Sequence, residues 1–71
     1  MHKIVVEGIE SYHENWIDIL RMLDNNHYTA DEIRRCVSYF AVQDERSGRW
    51  YMMDIEGLID SYNCYIYNFD Q

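Results

Sequence analysis

The chain predicts a small α+β domain, a largely antiparallel sheet of three or four short strands with two or three helices packed on one face. Three observations predict it. Short β-branched or aromatic runs stand at both ends and near the centre, two segments join a helix-start signal to apolar residues at helical spacing, and a polar stretch at 44–49 separates two strand-like runs as a hairpin turn would. At 71 residues only one domain fits, so 1–71 is read as a single compact acidic unit in which every apolar side chain is needed for the core.

The first element is a strand over residues 2–7, where Ile4, Val5 and Val6 form a β-branched run that stops at Gly8. Tyr12, Trp16, Ile19, Leu20 and Leu23 then follow a helical repeat. Ser11 with Glu14 three positions on has the form of a capping box, so a helix is expected from there to Asp24-Asn25-Asn26. A second box, Thr29 with Glu32, opens a shorter helix whose far end is open. Ile33, Val37, Phe40 and Ala41 suit a continuing helix, whereas Val37, Tyr39, Phe40 and Val42 carry the bias of a strand.

The polar turn Asp44-Glu45-Arg46-Ser47-Gly48-Arg49 and the run Trp50-Tyr51-Met52-Met53 favour a hairpin built on 36–43. Asp54 caps a short helix whose buried stripe is Ile55, Leu58, Ile59 and Tyr62, with Gly57 a modest interruption. Residues 64–69 alternate, with Tyr65, Tyr67 and Phe69 on one face and Cys64 and Ile66 on the other, and predict a closing strand. The expected order is β-α-α-β-β-α-β. A mostly α fold is the alternative, reached by extending the second helix through Phe40.

Little in the chain suits catalysis. His2, His13, His27, Cys36 and Cys64 are scattered and show no metal-ligand spacing, so neither metal nor cofactor is expected. Carboxylate pairs such as Asp54 with Glu56, or Asp44 with Glu45, need a concave desolvated site that so short a chain has little volume to build. There is no glycine-rich phosphate loop, and the 44–48 turn lacks the ordered oxygens of a calcium loop. The expectation is a protein that is not an enzyme. Two distant cysteines, no signal-like N-terminus and no long apolar run are read as a cytoplasmic protein with free thiols that does not enter a membrane.

Charge carries the functional expectation. Thirteen acids face six Lys and Arg, a formal charge of -7, and no cation follows Arg49. Direct nucleic-acid binding has the wrong sign, because phosphates are held chiefly by Lys and Arg. Arg34, Arg35, Arg46 and Arg49 are balanced by Asp31, Glu32, Asp44 and Glu45, which reads as internal ion pairing around the hairpin. Glu10, Glu14 and Asp18 recur every four residues and would form a stripe on the first helix. The C-terminal third adds Asp54, Glu56, Asp60 and Asp70 beside Tyr62, Tyr65 and Tyr67.

These ten residues are the expected partner-binding surface. A negative face with aromatic anchors suits a basic protein, which it would reach by electrostatic steering. In the leading reading the carboxylates stand in for phosphates and occupy the nucleic-acid-binding surface of that protein. In size and charge alone, the chain resembles small acidic inhibitors made by phages and mobile elements. In the alternative it neutralises or joins one dedicated partner, as immunity proteins and antitoxins do, through acidic and aromatic contacts. A homodimer is compatible with either, because pairing helps a thin core.

Overall fold

A two-residue turn opens the fold. The computed structural model, which describes residues 1–69, joins strand β1 (His2–Val6) to β2 (Ile9–His13) through Glu7 and Gly8, with φ of 51° and 80°. Positive φ at both central residues is the geometry of a type I′ turn, whose twist matches the twist of the strands it connects. Val6 faces Ile9 and His2 faces His13 across the hairpin. The expected early helix start is therefore corrected. Residues 11–13 are strand, and the chain turns helical only at α1 (Trp16–Asn25), with Asn15 as its N-cap.

Helix α1 ends in a Schellman motif. His27 takes the left-handed conformation at φ 59°, its N–H donates to the Asp24 carbonyl, and the Tyr28 N–H donates to Leu23. Helix α2 (Ala30–Cys36) starts on the expected capping box, in which the Glu32 N–H donates to Thr29 Oγ1 and the Thr29 N–H to Glu32 Oε1. It passes without a loop into β3 (Val37–Gln43), which decides the open end in favour of the strand. The turn at 44–49 leads to β4 (Trp50–Met52), with the Asp44 carboxylate accepting from the Arg46 N–H and the Ser47 hydroxyl.

The last element is α3 (Ile55–Phe69), started by Asp54, whose Oδ1 accepts from the Glu56 N–H at 3.0 Å. The closing strand expected at 64–69 is absent. Ile55, Leu58, Ile59 and Tyr62 continue at helical spacing into Tyr65 and Ile66, which pack on the same core, so the helix runs on. The observed order is β-β-α-α-β-β-α, with strands arranged β2-β1-β3-β4 and every pairing antiparallel. The α+β class with an antiparallel sheet holds, while the order differs at both ends.

All three helices contribute to one core. Ile4 and Phe40, opposite each other on β1 and β3, meet Ile19, Leu20 and Leu23 of α1, Ile33 of α2, and Leu58, Ile59 and Tyr62 of α3. Because side chains alternate across a sheet, Lys3, Tyr12, Ala41 and Met52 form a cross-strand row on the opposite face. Ala41 is nonetheless fully buried. The Tyr12 and Trp50 rings, with centroids 5.9 Å apart, reach toward each other across that face and cover it in place of a helix layer.

Candidate functional site

The structure disperses the expected acidic stripe over three settings. Glu10 lies on β2 and sits 3.4 Å from the Lys3 ammonium; Glu14 is exposed in the connection before α1; and Asp18, in the first turn of α1, is 3.9 Å from Arg21. A stripe requires one helix through all three, and none exists. The first and third also have nearby cations, so less of their charge is left to attract a partner.

Among the C-terminal positions, Glu56 is occupied within the fold. Arg34 donates from Nε to its Oε2 at 2.7 Å and from Nη2 to its Oε1 at 3.0 Å, and donates again from Nη1 to Asp31 at 3.0 Å. The hydrogen bonds to Arg34 hold the Glu56 carboxyl below its ordinary pKa, and those to Glu56 raise the guanidinium above its own. This two-pronged contact ties α2 to α3. It also relocates the expected ion pairing around the hairpin, since Arg46 and Arg49 make no salt bridge among the described residues.

Tyr62 is corrected from a surface anchor to a core residue. It is 1% exposed, and its hydroxyl donates to the Tyr28 carbonyl, as a buried phenol requires. Asp54 caps α3, while Asp60 and Tyr67 are exposed and Tyr65 is half-buried. Asp70 lies outside the described residues.

What the structure does bring together is Asp60, Tyr65 and the start of α1. Trp16, Ile17 and Leu20 of α1 face Asp60, Cys64 and Tyr65 of α3 across an open groove of about 390 Å³. No Lys or Arg is among the described residues that line it, although Arg34 lies close enough to Asp60 for the two charges to interact. An apolar floor with one carboxylate at its edge can accept an apolar surface that carries a cation. The position of α1 in this groove escaped the sequence reading, although the Trp16, Leu20 spacing already marked one side of a helix.

A second feature went unseen. The Lys3 ammonium lies 5.3, 5.9 and 4.7 Å from the ring centroids of Tyr12, Tyr39 and Trp50, within cation–π reach of all three. Desolvation opposes its charge, but hydrogen bonding to Tyr12 and Glu10 outweighs that and raises its pKa. The alternation of β1 was a usable signal. Its partners were not, because they come from three other strands and require the register.

Burial first, then the Glu7 carboxylate that accepts from its Sγ at 3.6 Å, push the Cys36 thiol up and away from the reactive thiolate. His13 Nε2 is 2.9 Å from the Ser11 hydroxyl. Among the described residues no three His, Cys, Asp or Glu cluster in a way that could hold a metal ion, and no helix is long and apolar enough to cross a membrane. Comparison with protein-family models, curated proteins and solved structures finds no match to the chain.

Proposed function

We propose that this chain is a non-enzymatic acidic domain that binds a basic protein, with the side of the fold formed by α1 and α3 as its contact face. The observation that carries this reading is the α1–α3 groove, where Asp60 and Tyr65 border an apolar floor and no Lys or Arg is among the described lining residues. It favours a dedicated partner held by combined apolar and acidic contacts. Electrostatics would speed encounter and exclude acidic surfaces, while buried aromatic contacts would supply most of the affinity.

Nucleic-acid mimicry is the second reading, favoured by the charge of -7 and by the absence of any cation after Arg49. It is weakened by Glu10, Asp18 and Glu56, which lie against Lys3, Arg21 and Arg34. One experiment separates them. The protein and its Asp60→Lys variant are immobilised, basic proteins are captured from lysate at low and high salt, and DNA is added as competitor. A dedicated partner stays bound through high salt, resists DNA and is lost with Asp60→Lys. Mimicry predicts release by DNA and by salt, and equal capture of basic proteins and neutral ones by both forms would sink either reading.

A further inference from the structure

We infer that the free edge of β4 pairs antiparallel with the same edge of a second copy, so that one sheet runs through both subunits. The hydrogen bonds identify which groups that edge leaves open. The Asp44 N–H donates to the Arg49 carbonyl and the Met53 N–H to the Phe40 carbonyl, so Arg49 and Met53 turn their backbone groups toward β3. Alternation turns those of Trp50 and Met52 outward. Tyr51, Met52 and Met53 are 48%, 71% and 42% exposed, a consecutive run of large apolar side chains along the last strand of the sheet. Neither Lys, Pro nor a bulge guards that strand against pairing.

Charge selects the occupant. Two copies at -7 each repel, and they approach most easily where their own charge is smallest. Residues 37–53 set Asp44 and Glu45 against Arg46 and Arg49 and sum to zero. The segment 7–14 around the other edge strand, β2, holds Glu7, Glu10 and Glu14 with no Lys or Arg, and of these only Glu10 has a salt bridge among the described residues, to Lys3. A basic partner gains nothing at a neutral edge, whereas β4 complements itself. Pairing centred on Tyr51 is the antiparallel register that uses both outward residues, because it sets Trp50 opposite Met52 of the second copy and lets each such pair exchange N–H and C=O groups. Trp50 and Met52 share the sheet face of Ala41, so ring and thioether meet on the side that has no helix layer. The same register brings Arg49 alongside Met53 and Asp54 of the second copy. The nearest charges across the seam are therefore opposite in sign.

A seam whose backbone groups come from Trp50 and Met52 alone belongs to the weak class of interface, below roughly 1,200 Å². Sedimentation of the full chain over roughly 10–500 μM should show a reversible monomer–dimer equilibrium. As concentration rises, the Trp50 and Met52 amides should exchange more slowly, while those of Glu10 and Tyr12 on β2 do not change. Met52→Pro removes an outward N–H and no bond to β3, so it should weaken the dimer about tenfold or more. Met52→Lys should act in the same direction, and it replaces the proline variant if circular dichroism shows that one unfolded. Ile9→Lys on β2 and Asp60→Lys on α3 should leave the dimer intact, since the seam does not rest on the α1–α3 face. A monomer throughout the range overturns the second copy as occupant of this edge. A dimer that survives the folded Met52 variants, or that Ile9→Lys dissolves, overturns the β4 seam.

Discussion

The Lys3 ammonium lies 4.7 Å from the centre of the Trp50 ring, joining the second-in-line strand of the sheet to its far edge strand. In a chain with six Lys and Arg against thirteen acids, one of those cations is committed to an aromatic cluster on the face away from the helices. Its side chain is only 19% exposed, and its stem helps cover the sheet.

Replacing Lys3 by Ala should therefore lower the melting temperature by several degrees, and Lys3→Met, which keeps the stem, by less. The pH dependence gives a second readout. With its folded pKa raised, the charged form contributes fully below the ordinary lysine value and loses its contribution as pH rises through the raised one. The advantage of wild type over Lys3→Met should shrink in strongly alkaline solution. An advantage independent of pH would show that the charge contributes nothing.

The Arg34 and Glu56 contact should act at the opposite end of the pH scale. The folded pKa of Glu56 is depressed, so its contribution is present above the unfolded carboxylate range and is lost as pH falls through the folded value. Urea titrations of wild type and Glu56→Gln should differ near neutrality and converge in acid. Both side chains are about half exposed, so the difference should be small and should decrease with added salt.

His27 holds a left-handed backbone position that glycine occupies without a Cβ penalty. His27→Gly should stabilise the domain by about 1 kcal/mol in chemical denaturation, the strain of a single left-handed residue offset in part by the flexibility of glycine. His27→Ala should bring no such gain. If Ala stabilised as much as Gly, the imidazole rather than the backbone would be the source of the strain.

The Tyr62 hydroxyl and the Tyr28 carbonyl give a test of the core. Tyr62→Phe keeps the ring and leaves the acceptor without that donor, at a cost of about 1 kcal/mol. Tyr62→Ala empties the centre of the core and should cost about 3–5 kcal/mol, enough to unfold much of a domain this small. Thermal melts of the pair should show that gap.

The parts of the fold legible in sequence were those set by local chemistry. The Thr29 and Glu32 box, the Asp44 turn and the Asp54 cap each act within a few residues, and each lies where its residue types indicate. Ser11 and Glu14 carry the same spacing as a capping box, but Ser11 pairs with Ile4 in the sheet and tertiary pairing overrides the signal. The coincidence extended to Tyr12, which matched the helical repeat of Trp16 and Leu20 while pointing to the other face of the sheet. Residues 64–69 failed for the converse reason. Their aromatic alternation has strand character, yet Tyr65 and Ile66 find core contacts by continuing the helix that Ile55 began.

The candidate site divided along the same line. Carboxylates could be counted in sequence, but which of them meet an arginine or lysine depended on contacts such as Arg34 with Glu56, separated by 22 positions. Asp60 and Tyr65 were recognisable as acid and aromatic. That they face Trp16 and Ile17 required the packing of α1 against α3.

The strand order carries a kinetic consequence. β1 with β2, and β3 with β4, are hairpins closed by short turns, and each can form on the microsecond scale, roughly 1–10 μs. The seam between them is different, since it sets His2 against Val42 and requires everything from β2 through α2 to be looped out first. Closure of the β1–β3 seam should be the slow event in folding. Substitutions at Ile4 or Phe40 should then slow refolding, whereas His27→Gly, at the end of a helix, should act mainly on the rate of unfolding if that end is not yet formed when the seam closes.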